Sequence, residues 1–156
     1  MTSCGRADPS GRVSAGWVVR FALAWVGLYA GLFGPLQVLL PQQVAALAPT
    51  DKEAVLALVL AAGAACSLVA NPLFGALSDR TRSRFGRRKP WIAVGFAGGA
   101  VAIALLAAAP AVPFLVLGWC AVQTLLNAPY AALSAAVPDE VPPAQRGTAA
   151  LSAAYG

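Results

Sequence analysis

Polar positions divide the chain sharply. Phe21 to Thr50, Ala54 to Ser78 and Pro90 to Pro138 contain no Asp, Glu, Lys or Arg. About 20 apolar residues cross a hydrocarbon layer of about 30 Å, so the first two stretches each have room for one membrane helix and the third for two. The third divides at Pro110 and Pro113. The pattern predicts helices over 18–40, 54–77, 91–109 and 113–137. A polar turn follows from Pro138 to Gly147, with prolines suited to the end of one helix and the start of the next. Thr148 to Gly156 resumes an apolar run, read as the opening of a fifth helix. The expected fold is an all-α membrane protein of four transmembrane helices plus the start of a fifth, a structural unit cut within helix 5.

Within the spans, Gly27, Gly31 and Gly34 share one face of the first helix, and Gly95 and Gly99 share one face of the third, spacings that let backbones approach closely. Gly34-Pro35 and Pro129 are expected bends, whose freed carbonyls must face protein or water rather than lipid. Asn71-Pro72 is expected to be mainly structural.

Composition excludes a water-soluble domain. The chain is 59% hydrophobic and 11% charged, against roughly 25% charged residues in an average soluble domain. The net charge of +5 does not point to nucleic acid, because its main concentration lies between two hydrophobic spans. Counting Arg20, at the start of helix 1, with the head beside it, ten of the eleven Lys and Arg residues fall in the head, between helices 2 and 3, or after helix 4, leaving only Lys52 on the opposite side. Cytoplasmic connections are enriched in these residues, so the reading is a multi-pass protein of the cell membrane with residues 1–17 as a cytoplasmic head. The apolar run after Arg20 is too long for a signal peptide. There is no histidine, and Cys4, Cys66 and Cys120 are too scattered in sequence for a disulfide framework or a metal site, so reduced packing thiols, no metal and no cofactor are expected. With no acidic pair or metal cluster beside the spans, an enzyme is not expected.

The basic connection reads Gly75-Ala76-Leu77-Ser78-Asp79-Arg80-Thr81-Arg82-Ser83-Arg84-Phe85-Gly86-Arg87-Arg88-Lys89-Pro90. Positive charge alone satisfies the orientation rule and leaves Asp79 unexplained. At the carboxyl end of a helix an acidic side chain opposes the macrodipole by some tenths of a kcal/mol. Asp79 therefore needs a partner, either a nearby arginine or the amino terminus of another helix docked at Gly75, one turn earlier.

These residues resemble the major facilitator superfamily, whose connection between helices 2 and 3 carries Gly, three residues, Asp-Arg, then Gly-Arg-Arg. Gly75, Asp79, Arg80, Gly86, Arg87 and Arg88 match. The common form reaches Gly almost directly after Asp-Arg; here four more residues intervene. The longer form, with Ser83 and Phe85, looks like the sucrose–proton symporters and the glycoside-pentoside-hexuronide cation symporters. A second loop motif after helix 4, with Asp139, Arg146 and Gly147, is similar to bacterial members of that group. The resemblance implies a twelve-helix fold, with residues 18–156 a partial amino-terminal six-helix half. It also implies a latch from helix 2 to helix 11 of the missing carboxyl-terminal half, with membrane lipid around both.

It further implies a secondary transporter moving a small-molecule solute by alternating access, with sugars or glycosides as candidate solutes. Substrate sites in such transporters lie near the midplane between the halves. Gln123, Asn127, Tyr130 and Ser134 form a polar stripe on helix 4 by their spacing, and Tyr29 and Gln37, with Trp25, are the comparable groups of helix 1. Two readings stay open for them: cavity lining, or hydrogen bonds between helices worth about 0.6 kcal/mol each. A proton or sodium ion is the candidate coupling ion, yet no Asp, Glu or His lies within the spans, whereas the symporters it resembles use carboxylates in helices 1, 2 and 4. Coupling then rests on the missing part, or transport is uncoupled. The alternative reading is a truncated or short four-helix membrane scaffold, or a small exporter without independent symport activity.

Overall fold

A computed structural model describes residues 15–81 and 88–140, with side chains to residue 135. The described residues form four helices and no strand. They are α1 (Ala15–Leu47), α2 (Lys52–Arg80), α3 (Lys89–Ala107) and α4 (Val112–Glu140). All four are long and apolar enough to cross a membrane. The opening of a fifth helix lies outside the described residues.

The helices outrun the charge-free stretches. At about 1.5 Å per residue, α2 and α4 are each about 43 Å long, well beyond a hydrocarbon core of about 30 Å. Lys52, Glu53, Asp79 and Arg80 accordingly lie inside α2, as its first and last turns. Loss of charge marks where lipid begins. It does not mark where helical hydrogen bonding stops.

α1 departs furthest from the pattern, continuing to Leu47 instead of ending near Leu40. Proline lacks an N–H and its ring crowds the carbonyl four residues back. Pro35 and Pro41 fall six apart, and the chain accommodates them by winding Pro35–Leu39 as a π-turn, the Leu40 N–H reaching the Pro35 carbonyl. The wider turn carries the helix through Pro41 instead of breaking it. Its two added turns are tied down where the Gln43 side-chain amide donates to the Ala107 carbonyl at the end of α3, at 2.6 Å.

α4 is the central element, with α2 and α3 packed along it and α1 lying against it more lightly. Its Leu115, Trp119, Val122 and Leu126 are buried, together with Leu28 of α1, Val59 of α2 and Leu106 of α3. Between apolar helices in lipid the hydrophobic effect offers little, so close packing must hold them. Glycine provides it. A β-carbon on Gly63 of α2 would strike the Trp119 indole, and one on Gly99 of α3 would strike Leu126. The expected glycine face of α3 is thus the face packed on α4.

Gly95 serves a second purpose. Pro129 of α4 has no N–H, so the Leu125 carbonyl loses its helical donor. A β-carbon on Gly95 would collide with the Pro129 ring and lie 2.9 Å from that carbonyl oxygen. The freed acceptor therefore faces α3 and not lipid, as an unsatisfied backbone group in a bilayer requires.

Gly95→Ala is expected to lower stability by about 1–3 kcal/mol through overpacking. Gly34→Ala, where a β-carbon meets nothing within 4 Å, is expected to be neutral or slightly stabilising. Reversible unfolding in detergent micelles checks the contrast, and equal effects at both positions would contradict the packing described.

Candidate groove between α2 and α4

Among the described residues, open grooves lie beside α4, two of them lined as follows. The larger, about 710 Å³, is lined by Ala64, Ser67, Leu68, Asn71 and Pro72 of α2 with Gln123 and Asn127 of α4. The smaller, about 310 Å³, lies between α1, α2 and α4 and is walled by Phe33, Leu60, Trp119 and again Gln123, with Leu32 and Leu36. Gln123 borders both. Every side chain in the two linings is neutral.

Helical spacing explains the convergence on the larger groove. Ser67 and Asn71 stand one turn apart on α2, as do Gln123 and Asn127 on α4. α2 and α4 run in the same direction, because Gly63 meets Trp119 and Gln123 while Ser67, one turn on, meets Asn127. The buried Asn127 amide donates to the Ser67 hydroxyl at 2.9 Å and to the Gln123 carbonyl at 2.6 Å. Asn127 therefore joins the helices and also faces the groove, uniting the two readings left open by the sequence. Pro72 adds an acceptor, since it denies the carbonyl of Leu68 its helical donor, and both residues belong to the groove wall.

The stripe on α4 does not stay together. Asn127 and Tyr130 are about 60° apart around a regular helix, enough to aim them at different neighbours. Tyr130 turns to α1, where its ring meets Trp25 edge-on at 5.6 Å. Ser134 donates back to the Tyr130 carbonyl at 2.8 Å. Tyr29 stacks between Trp25 and Phe33, at 5.5 and 5.8 Å. Gln37 sits in the π-turn with its side chain exposed. None of Tyr29, Gln37 and Tyr130 lines either groove.

An aromatic ladder on α1, Trp17, Phe21, Trp25, Tyr29 and Phe33, was legible as a strict spacing of four and carries the contact with Tyr130. The indole N–H groups of Trp25 and Trp119 are buried without a hydrogen-bond partner. An unmade hydrogen bond of that kind costs about 1–3 kcal/mol. Trp119 leaves its donor beside Gln123, against Gly63.

At the far end of α2 lies the charged cluster. Asp79 approaches the Arg88 guanidinium at 3.6 Å, and Arg88 donates to the Ala132 carbonyl of α4 at 3.4 Å. One arginine thus links the end of α2, the start of α3 and the body of α4. Trp91 fastens the same corner, its indole N–H donating to the Thr81 hydroxyl at 2.9 Å and its ring lying 5.6 Å from Phe74. Asp79 is 58% exposed, so its ion pair is worth no more than about 1 kcal/mol. Arg80 is exposed, and a β-carbon on Gly75 would meet nothing within 4 Å. Gly86, Arg87, Arg146 and Gly147 lie outside the described residues; Asp139 lies in the last turn of α4, and nothing is described of its side chain.

A family profile described as MFS/sugar transport protein matches residues 52–141, more than half of the chain, from the first residue of α2 to just past α4. No curated protein and no solved structure matches the chain.

For the Asn127–Ser67 bond, a double-mutant cycle of Asn127→Ala and Ser67→Ala in micelles is expected to return a coupling energy of about 0.6 kcal/mol, the average for polar pairs between membrane helices. Asn127→Ala alone should cost more than Ser67→Ala, because it removes two bonds. Strict additivity of the two changes would contradict the contact.

Proposed function

Because the chain belongs to the MFS/sugar transport protein family, we propose that it works as part of a secondary transporter that moves a small neutral solute, of the sugar or glycoside class, by alternating access. The observation that carries this reading is the convergence of Ser67 and Asn71 with Gln123 and Asn127 on one open groove of neutral polar groups. Amides and hydroxyls offer both donors and acceptors, matching a polyhydroxylated solute, and no charge is present to favour an ion. Phe33, exposed on the wall of the smaller groove, offers an apolar face for a sugar ring.

In the proposed arrangement the protein lies in the cell membrane as a multi-pass protein, with its amino terminus and the basic connection between α2 and α3 in the cytoplasm. The carboxyl-terminal half completes the cavity from the other side. Asp79, Gly75 and the arginines after them form the latch that favours one of the two access states. Gly75 supports this role because the space above it is open, leaving room for a helix of the opposite half. A proton or sodium ion is the candidate coupling ion, its binding group supplied by that half.

Uptake of labelled sugars and glycosides into proteoliposomes holding the protein of the complete reading frame tests the function. At least one neutral sugar or glycoside is expected to be taken up, and Gln123→Ala is expected to weaken its uptake. Asp79→Asn should insert normally but slow uptake roughly tenfold, the effect of removing about 1.4 kcal/mol from one access state. Unchanged uptake in Asp79→Asn would count against the latch, and failure with all neutral sugars against the solute class.

Orientation has its own check. A Ser83→Cys variant in a background lacking the native cysteines should react with an impermeant maleimide in inside-out vesicles only. Labelling from the outside of intact cells would reverse the topology.

A further inference from the structure

The end of α2 is built around one hydroxyl. α2 closes at Arg80, and Thr81 follows in an extended conformation as its carboxyl-terminal cap. Thr81 donates twice to the Leu77 carbonyl, through its N–H at 3.1 Å and its hydroxyl at 2.7 Å. A hydroxyl has one hydrogen and two lone pairs, so with the hydrogen committed to Leu77 the oxygen is left to accept. The Trp91 indole N–H donates to it at 2.9 Å. Trp91 stands in the first turn of α3, and its partly buried ring lies 5.6 Å from Phe74, two turns before Thr81. Donor follows donor from Trp91 through Thr81 to Leu77, an alignment that lets each bond polarise the next.

Asp79 lies between the two α2 residues of this relay, Leu77 and Thr81. Whatever fixes those two fixes the point from which the Asp79 carboxylate leaves the helix. The ion pair with Arg88 is poorly suited to that task, because at 3.6 Å and with Asp79 58% exposed it is screened by water and salt. The Trp91 bond joins part-buried neutral groups and has no charge to screen. We propose that Trp91 is a positioning residue of the latch: through Thr81, its N–H holds the last turn of α2 so that Asp79 is presented to the opposite half of the transporter. The role depends on the latch proposed above. α3 is itself seated on α4 through Gly95 and Gly99, so Trp91 ties the end of α2 to a fixed part of the bundle. The relay can be taken apart atom by atom. Trp91→Phe keeps a ring beside Phe74 and removes the donor; Thr81→Ser keeps the hydroxyl; Thr81→Val fills the same space without it.

Two measurements on the full protein test this. In micelles, hydrogen exchange at the Thr81 amide is expected to quicken about fivefold in Trp91→Phe, the loss of one hydrogen bond of ordinary strength. Thr81→Val should quicken the exchange at that position at least as much, Thr81→Ser should leave it unchanged, and Trp91→Phe should add nothing to Thr81→Val. In proteoliposomes, Trp91→Phe is expected to slow uptake by a similar factor per solute-binding molecule, with Thr81→Ser matching the unsubstituted protein. The decisive comparison is with Asp79→Asn: a residue that acts through Asp79 adds no further slowing once that carboxylate is gone, whereas a merely structural residue does. Unchanged Thr81 exchange in Trp91→Phe would overturn the proposal, as would extra slowing on top of Asp79→Asn. No uptake by the unsubstituted protein would instead overturn the transporter reading and the latch role with it, a result distinct from the other two.

Discussion

Close approach to α4 is the condition on which the rest of the bundle stands. In lipid an apolar side chain is as well solvated by acyl chains as by another helix, so contact geometry must bring the helices together. α4 presents Trp119, Leu126 and the Pro129 ring to positions where α2 and α3 carry Gly63, Gly99 and Gly95. Each glycine turns a bulky neighbour into a fitted one. α1 has no such set against α4. A β-carbon on Gly31 would lie 3.3 Å from Leu126, an adjustable side-chain end, and the ladder through Trp25 to Tyr130 supplies the rest of its contact. The lighter hold on α1 follows from aromatic edges doing what backbone proximity does elsewhere.

The same proximity resolves the prolines. Each proline in a membrane helix frees a carbonyl that lipid cannot satisfy. At Pro129 the freed carbonyl is covered by Gly95; at Pro35 and Pro41 a π-turn shifts the register so that the helix continues. Pro72 is treated differently. It is exposed on α2, and the acceptor it frees belongs to the wall of the larger groove. The break at Pro72 is thus left open at the groove.

Much of this architecture is visible in the distribution of charge. Stretches of bilayer length without Asp, Glu, Lys or Arg identify four spanning helices, because burying such a group in lipid is too costly to occur by chance. Helix ends are less visible, since Asp79 and Arg80 can complete α2 beyond the lipid. The survival of α1 past Pro41 depends on a register shift that composition does not encode. At the candidate groove, Gln123 and Asn127 are legible as one face of a helix, whereas their partners Ser67 and Asn71 are not, because spacing within α4 says nothing about which face of α2 it meets. Tyr130 shows the limit from the other side: it shares the stripe by spacing but serves α1.

Placing the proposed latch and the groove on one helix has a mechanical consequence. Asp79 stands three turns beyond Ser67 on α2, and a continuous helix transmits displacement along its axis with little loss. α4 receives it at both ends of that interval, through the Ala132 carbonyl held by Arg88 and through Asn127 held to Ser67. A force on the exposed Asp79 corner therefore shifts α2 and α4 as a unit, so the groove between them keeps its shape while its position changes. In the proposed transport cycle, access to the solute alternates by movement of the whole wall against whatever faces it. The polar groups of the wall need not separate, and their hydrogen bonds need not break in lipid.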